Sequence, residues 1–136
     1  MKNTEANCDN QCPIHFGMGL FGDKWTLLVV RDMMFRGKRY FGEFNTSDER
    51  IATNILTDRL KRLDANGIIT KQRDPDNQAK IIYKLTQKGI DLMPILFSVI
   101  EWVDKHYDDF NMPEEFLKEL RDDKVRLQRM MMDKLK

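Results

Sequence analysis

The strongest constraint on the fold is a change in the hydrophobic period near Gly67. Over residues 52–66 the apolar positions recur every three or four residues, which predicts an amphipathic helix with Gly67 as its C′ residue. Residues 68–73 and 80–85 instead form two runs of β-forming side chains, and the Asp-Pro-Asp-Asn-Gln-Ala stretch between them favours a turn. A helix that leads directly into a β-hairpin is therefore expected at the centre of the chain.

Further helices are predicted on both sides of this central unit. They span residues 13–21, 24–35, 39–44, 87–107 and 111–135. Asp23 and Thr86 are the expected N-caps of two of them, and Thr46 and Glu49 have the spacing of a capping box. Pro94 should kink the helix over 87–107 or delay its regular start. The order of the elements is that of a winged helix-turn-helix, so the predicted fold class is mainly α with a small β-hairpin wing.

Length and composition indicate one soluble globular domain. The chain has 136 residues, of which 41% are hydrophobic and 33% are charged, and this is not the composition of a disordered segment. The longest apolar run, residues 25–30, is far shorter than the roughly 20 residues that cross a bilayer. Because the first residues also lack the apolar stretch of a secretory signal, we expect a cytoplasmic protein with reduced thiols and no membrane contact.

Positive charge is concentrated in the middle of the sequence, although the net charge of the whole chain is only +1. Residues 31–88 contain 13 Lys and Arg against 8 Asp and Glu, which gives a net charge of +5. The net charge is −1 over residues 1–30 and −3 over residues 89–136. A positive face of this kind attracts phosphates, and the alternative is a chance fluctuation over a solvated surface.

Side chains suited to DNA recognition lie on the predicted central helix and on the hairpin. Thr53, Asn54 and Thr57 are short polar residues near the start of the helix, where they could contact base edges in the major groove. The expected phosphate contacts are Lys61, Arg62, Lys71, Arg73 and Lys80. Each of these residues alone is also compatible with a plain solvated surface. The prediction of double-stranded DNA as the partner therefore rests on their combination.

Two other classes of function compete with DNA binding. A winged-helix module that contacts only proteins would have a central helix poor in base-reading side chains, which Asn54 and Thr57 do not fit. An enzyme is not expected, because the sequence has only two histidines, no nucleotide-binding glycine loop and no Ser-His-Asp arrangement in a recognisable context. Gly17, Gly19 and Gly22 do form a G-x-G-x-x-G pattern, but no strand precedes it and no βαβ unit follows it. No cofactor is expected either.

Five segments of the sequence resemble the HxlR family of bacterial regulators, which are relatives of the MarR-type proteins. The segments are CPI (12–14), GDKWTLLVVRDM (22–33), RYFGEF (39–44), IATNILTDRLKRLDANGII (51–69) and YKLTQKG (83–89). The resemblance implies a homodimeric winged-helix repressor or activator that binds a near-palindromic operator. It further implies that the central helix enters the major groove and that the hairpin is the wing. Residues 12–21 and the helices from residue 87 onward would form the dimer interface.

With this resemblance the chain divides into three parts. They are a flexible N-terminal segment (1–11), a winged helix-turn-helix DNA-binding domain with dimerisation helices (12–107) and a C-terminal helix (108–136). The apolar seam of the C-terminal helix either extends the dimer interface or packs back on its own domain.

The two cysteines, Cys8 and Cys12, are candidates for a switch. Cys12 takes the cap position before Pro13, where the positive field of a helix N-terminus favours a thiolate. Members of the family that the chain resembles often have a cysteine before this proline, and some use it to sense oxidants or electrophiles. The resemblance therefore implies a redox switch at Cys12 with Cys8 as a partner, and the alternative is that Cys12 is a buried small hydrophobe. Cys8, Cys12 and His15 are too few ligands for a metal site, so none is expected.

A small-molecule effector is left open by the sequence. Its identity cannot be read from any motif. The apolar side chains that could line a ligand cavity are Trp25, Phe41, Phe44, Met93 and Trp102. Their ordinary helical spacing favours a filled core instead.

Overall fold

The computed structural model describes residues 12–136, which form eight helices and one two-stranded sheet. The helices are α1 (Pro13–Phe21), α2 (Lys24–Phe35), α3 (Phe41–Phe44), α4 (Thr53–Ala65), α5 (Gln87–Ile90), α6 (Met93–His106), α7 (Glu114–Asp122) and α8 (Lys124–Leu135). Strands β1 (Ile69–Asp74) and β2 (Asn77–Leu85) lie between α4 and α5. The first segment of the predicted division, residues 1–11, lies outside the described residues. The element order from α1 to β2 is the predicted one, mainly helical with a single hairpin.

Local sequence fixes the start of α2 and the end of α4. Asp23 accepts hydrogen bonds from the backbone N–H groups of Trp25 at 2.8 Å and Thr26 at 3.3 Å, which caps α2 as expected. Gly67 follows α4 with a φ of +73°, a conformation that glycine adopts without strain. The chain can therefore leave α4 sharply and enter β1 at Ile69 within a few residues.

The capping box predicted at Thr46 and Glu49 is wrong. Glu49 instead binds Arg31, whose Nη1 atom lies 2.8 Å from Glu49 Oε2. The glutamate that reaches back to a helix start is Glu43, whose Oε1 accepts the backbone N–H of Tyr40 at 3.0 Å. Sequence spacing alone could not separate these two glutamates, because the choice depends on an arginine 18 residues away.

The hairpin is longer and its turn tighter than the sequence indicates. β1 and β2 are antiparallel, with Ile69 opposite Leu85 and Arg73 opposite Ile81; the register then shifts, so that Asp74 lies opposite Asn77. The predicted loop over 74–79 shrinks because Asp74 Oδ1 accepts the backbone N–H of Asp76 at 2.9 Å, which closes the turn early. β2 therefore begins at Asn77 and not at residue 80.

Two helices that the sequence predicts as continuous are broken in the structure. The range 87–107 divides into α5 and α6, and Pro94 lies in the first turn of α6, so its regular part starts late as expected. The range 111–135 divides at Asp123, which has φ −154° and caps α8 by accepting the backbone N–H of Arg126 at 3.1 Å. The C-terminal part is therefore a pair of helices and not one.

The core lies between α2, α4 and α6, and the C-terminal tail packs onto it. The fully buried side chains with the largest volumes include Phe44, Leu56, Leu63, Met93 and Phe97. Leu120 of α7 and Leu127 of α8 are also buried in this core. These leucines thus pack the tail on its own domain, and its participation in a dimer interface stays a prediction.

The five apolar side chains that the sequence offered as a cavity lining do not enclose a common cavity. Phe44 and Met93 are almost completely buried in the core. Trp25 and Phe41 are half-buried against it, whereas the side chain of Trp102 is 57% exposed on α6. The filled-core interpretation fits four of these five residues, and Trp102 belongs to the surface. Over residues 12–136 no helix combines the length and apolar character that a bilayer crossing requires.

Candidate nucleic-acid interface

The solvent-facing side of α4 carries the polar residues that the sequence singled out. Thr53, Asn54, Thr57 and Lys61 are all exposed. Their spacing of three to four residues places them on one side of the helix. The opposite side is buried through Leu56, Leu60 and Leu63. Because the leucines attach α4 firmly to the domain, the polar side is presented to solvent on a rigid support.

The Thr57 hydroxyl already has a partner within the helix. Its Oγ1 atom donates to the backbone carbonyl of Thr53 at 2.9 Å. This hydrogen bond uses the donor of the hydroxyl, so the exposed Thr57 side chain can still offer its methyl group and an acceptor oxygen. Asn54 keeps an exposed amide, which can both donate and accept.

Arg62 differs from the other predicted phosphate contacts. It lies on the flank of α4 that faces α1, where Nη2 approaches the carbonyl of Gly19 at 3.4 Å. Nη1 is 4.0 Å from carboxylate oxygens of both Asp23 and Asp58. Intramolecular contacts therefore occupy part of this guanidinium, which makes Arg62 a weaker phosphate candidate than Lys61.

The neighbouring Arg59, which the sequence did not indicate, fastens α4 to the start of α2. Its Nε atom lies 3.0 Å from Asp23 Oδ2. Burial would raise the pKa of Asp23, but hydrogen bonds from Thr26 and Arg59 outweigh it and hold the pKa below its usual value. The N-cap of α2 therefore stays anionic and keeps its arginine at neutral pH.

The hairpin, whose strand β1 contacts α4, carries three of the predicted phosphate contacts. Lys71, Arg73 and Lys80 are exposed, and the alternation of a strand places Lys71 and Arg73 on the same face of β1. Arg73 Nη1 donates to the carbonyl of Gln78 at 2.8 Å, which directs its guanidinium along the hairpin tip. Lys80 Nζ lies 5.3 Å from the centre of the Tyr40 ring, a cation–π distance. These contacts orient the two tip cations while leaving them accessible.

Tyr40 and Asp74 attach the hairpin to the helix-turn-helix, and sequence reasoning did not find this contact. Tyr40 Oη donates to Asp74 Oδ2 at 2.7 Å. That bond is the main cause that lowers the pKa of Asp74. A second link is made by the backbone N–H of Tyr83, which donates to the carbonyl of Arg39 at 2.8 Å. The sequence indicates Asp74 only as a turn residue, and no local pattern connects it to a tyrosine 34 positions earlier.

A second network missed by the sequence joins α2 to the loop before α4. Asp32 is 3% exposed and accepts hydrogen bonds from the Ser47 hydroxyl, from Lys38 and from Arg31. Arg31 extends the network to Glu49. The hydrogen bond from Arg31 lowers the pKa of the Glu49 carboxyl to about 2. The loop that positions the start of α4 is thus held by charge-assisted hydrogen bonds.

Cys12 is exposed at the surface as the N-cap of α1. This location agrees with the cap position expected from Pro13 and disagrees with a buried hydrophobe. Cys8, the expected partner, lies outside the described residues. Among residues 12–136, no group of three or more His, Cys, Asp or Glu side chains is arranged to hold a metal ion.

Comparison with known proteins identifies the family. The model of the protein family described as HxlR-like helix-turn-helix matches residues 20–111. The chain is 32% identical over 102 residues to the uncharacterized HTH-type transcriptional regulator sll1512 of Synechocystis sp., with 71% of this chain and 75% of the relative covered. It is also 32% identical over 98 residues to the HTH-type transcriptional regulator YodB of Bacillus subtilis, covering 71% of this chain and 87% of YodB.

Two solved structures have the same fold. The reduced form of YodB superposes with a TM-score of 0.59 at 29% identity, over 71% of this chain and 95% of YodB. The redox regulator HypR in its oxidized form superposes with a TM-score of 0.60 at 32% identity, over 72% of this chain and all (100%) of HypR. These matches confirm the winged-helix fold class, and the relatives are regulators and not enzymes. The chain belongs to the HxlR-like helix-turn-helix family of transcriptional regulators.

Proposed function

We propose that this regulator binds double-stranded DNA sequence-specifically, as a homodimer on a near-palindromic operator. The observation that carries the proposal is the exposed polar side of α4 together with the exposed cations of the hairpin, whose strand β1 contacts α4. In this arrangement Thr53, Asn54 and Thr57 meet base edges in the major groove. Lys61 and the three hairpin cations contact the phosphates on either side. We expect a protein with this function to be located in the cytoplasm together with the DNA.

Exposed apolar side chains support the homodimer. Ile14 and Met18 on α1 are exposed, as are Val99 and Trp102 on α6. A shallow groove along α6 has no charged residue in its lining. Large apolar side chains in this number are typical of a surface that another protein covers. A dimer built on α1 and α6 would present two copies of α4 to successive half-sites.

We further propose that Cys12 makes the regulator sensitive to oxidants or electrophiles, with Cys8 as a partner. The thiol is exposed at the N-terminus of α1, next to the apolar residues that the dimer would cover. Among the relatives, HypR is a redox regulator of known oxidized structure. Modification of Cys12 would change the packing of α1 and with it the separation of the two α4 helices. Alkylation of the wild type should lower operator affinity, whereas Cys12→Ser should be insensitive; equal affinity before and after alkylation contradicts the switch.

The experiment that tests DNA binding uses DNA from the protein's own upstream region, with wild type, Asn54→Ala and Asn111→Ala. Asn54→Ala should weaken specific binding by about 1–3 kcal/mol if this amide reads a base. Asn111 is also an exposed asparagine but lies between α6 and α7, so its variant should bind as wild type does. Equally weakened binding in both variants would contradict the role of α4.

Binding to heparin separates DNA binding from the alternative of a protein-contact module. A DNA-binding protein is retained on heparin at low salt and is released from it as the salt concentration rises. Absence of both retention on heparin and binding to any DNA would overturn the proposal.

A further inference from the structure

A cavity of about 610 Å³ lies between α2, α6 and the C-terminal tail. Helices α2 and α6 form two of its walls, and the segment 111–113 together with Phe116 and Met131 forms the third. The volume is within the range of roughly 300–1,000 Å³ that is usual for small-molecule sites. None of the proposed DNA contacts lines this cavity. It is therefore a separate site from the α4 surface.

Apart from Asn111, the third wall is made by the part of the chain beyond the family match, which ends at residue 111. Phe116 is held in place by edge-on contacts, with its ring centre 6.5 Å from that of Phe35 and 5.9 Å from that of Phe97. Leu120 and Leu127 anchor the same helices in the core. The wall is thus a packed element of the fold, and the cavity is a consequence of the tail.

The lining combines apolar side chains with positive charge. Lys24, Arg31 and Arg36 are its charged residues, and no carboxylate lines it. Arg31 forms ion pairs with Asp32 and Glu49, neither of which lines the cavity. The side chain of Arg36 is 43% exposed, and its Nη1 atom lies 3.4 Å from Asp32 Oδ1. Other N–H donors of this guanidinium remain for another acceptor. Cations beside apolar walls favour a ligand with an apolar body and a negative group.

We propose that this cavity binds a small amphipathic organic anion. Its apolar body packs between Leu28 and Ile100, and its acidic group meets Arg36 and Lys24. A second copy of this chain suits the neighbouring groove along α6 better, because that groove has no charged residue in its lining. The charge of the cavity wall therefore separates a site for a small anion from a surface for a partner protein.

Two fluorescent probes of the same shape test the proposal on the full chain. The anion 8-anilino-1-naphthalenesulfonate and the neutral N-phenyl-1-naphthylamine share their aromatic body and differ in the sulfonate. One anionic probe per chain should bind, about tenfold more tightly than the neutral one, since a charge-assisted hydrogen bond adds roughly this factor. Arg36→Gln should weaken the anionic probe about tenfold and leave the neutral probe unchanged. Arg129→Gln, a matched change at an exposed α8 residue outside the lining, should alter neither.

A second variant tests the location of the apolar body. Leu28→Trp places a larger side chain in the cavity and should weaken both probes, while circular dichroism checks that the variant is folded. Equal binding of the two probes to the wild type, or an unchanged anionic probe in Arg36→Gln, would overturn the proposal. So would failure of both probes to bind, which is the result expected if a second copy of the chain fills the cavity.

Discussion

At the scale of single residues, Asp32 shows how one buried carboxylate organises the helix-turn-helix. It accepts from Lys38 and Ser47, which lie in the chain between α2 and α4, as well as from its neighbour Arg31. A buried charge is tolerated only when its hydrogen-bonding capacity is used in this way. The contacts therefore define the path of the loop that carries α4.

Replacement of this carboxylate should be costly. Asp32→Asn removes the negative charge that Arg31 and Lys38 share, and it should lower the free energy of unfolding by about 2–4 kcal/mol. Urea denaturation measures the change. Asp48→Asn alters an exposed residue of the same loop and should cost less than about 0.5 kcal/mol. Similar small decreases in both variants would show that Asp32 is not an organising group.

The hydrogen bond between Tyr40 and Asp74 should matter for the position of the hairpin. Tyr40→Phe keeps the ring and removes only the Oη donor, so the hairpin tip is no longer linked by this side chain to the helix-turn-helix. We expect a lower urea midpoint and weaker DNA binding. Tyr107→Phe removes the same atom from an exposed ring and should change neither quantity. If the two variants behave alike, the bond does not position the wing.

At the scale of elements, the ion pair between Arg31 and Glu49 joins α2 to the loop before α4. The pKa of Glu49 lies at about 2, below its usual 4.5, mainly because of the hydrogen bond from Arg31. A lowered carboxyl pKa gives stability that is complete above the usual pKa and is lost as the pH falls through the folded value. The pair is partly exposed, so its contribution is about 1 kcal/mol.

The pH dependence of Glu49→Gln tests this link. Above about pH 4.5 the wild type should be more stable than the variant by about 1 kcal/mol, and the difference should shrink as the pH falls toward 2. Denaturation in urea at a series of pH values measures both. Glu115→Gln, at an exposed residue of α7, provides the control and should show no such trend. A difference that does not vary with pH would contradict the ion pair.

The attachment of the tail can be tested within α7. Leu120 is 2% exposed, so Leu120→Ala leaves a cavity and should lower the free energy of unfolding by about 2–4 kcal/mol. Val125 of α8 is 66% exposed, and Val125→Ala should cost less than about 0.5 kcal/mol. Thermal or urea unfolding gives both values. An equally small effect of the two changes would mean that the tail is not part of the cooperative core.

The comparison of these elements shows what could be predicted from the sequence. α4 and the hairpin have local causes, namely a leucine period, Gly67 and the turn chemistry after Asp74. The bounds of α4 were predicted within one residue, whereas the start of β2 was predicted three residues late. The break at Asp123 was missed because the apolar seam continues on both sides of it. The contacts of Tyr40 and of Arg31 were missed because their partners are distant in sequence, and only the folded chain brings them together.

At the scale of the whole molecule, the positive and negative segments of the sequence form different parts of the fold. The segment 31–88, with a net charge of +5, contains the end of α2, the loop, α4 and the hairpin. Residues 89–136, with a net charge of −3, form α6 and the tail that packs against α2 and α6. A chain of nearly zero net charge can therefore present a positive side to its proposed DNA partner, which favours one docking orientation.

The salt dependence of DNA binding measures this asymmetry. The combined variant Lys71→Gln, Arg73→Gln and Lys80→Gln should reduce the slope of log K against log salt by about one for each phosphate that is no longer neutralised, so by up to about three. Lys118→Gln, Arg129→Gln and Lys134→Gln remove the same charge from exposed residues of the tail and should leave the slope nearly unchanged. Because both variants have the same net charge, any difference reports where the charge lies. Equal slopes in the two variants would show that DNA responds to the total charge and not to the wing.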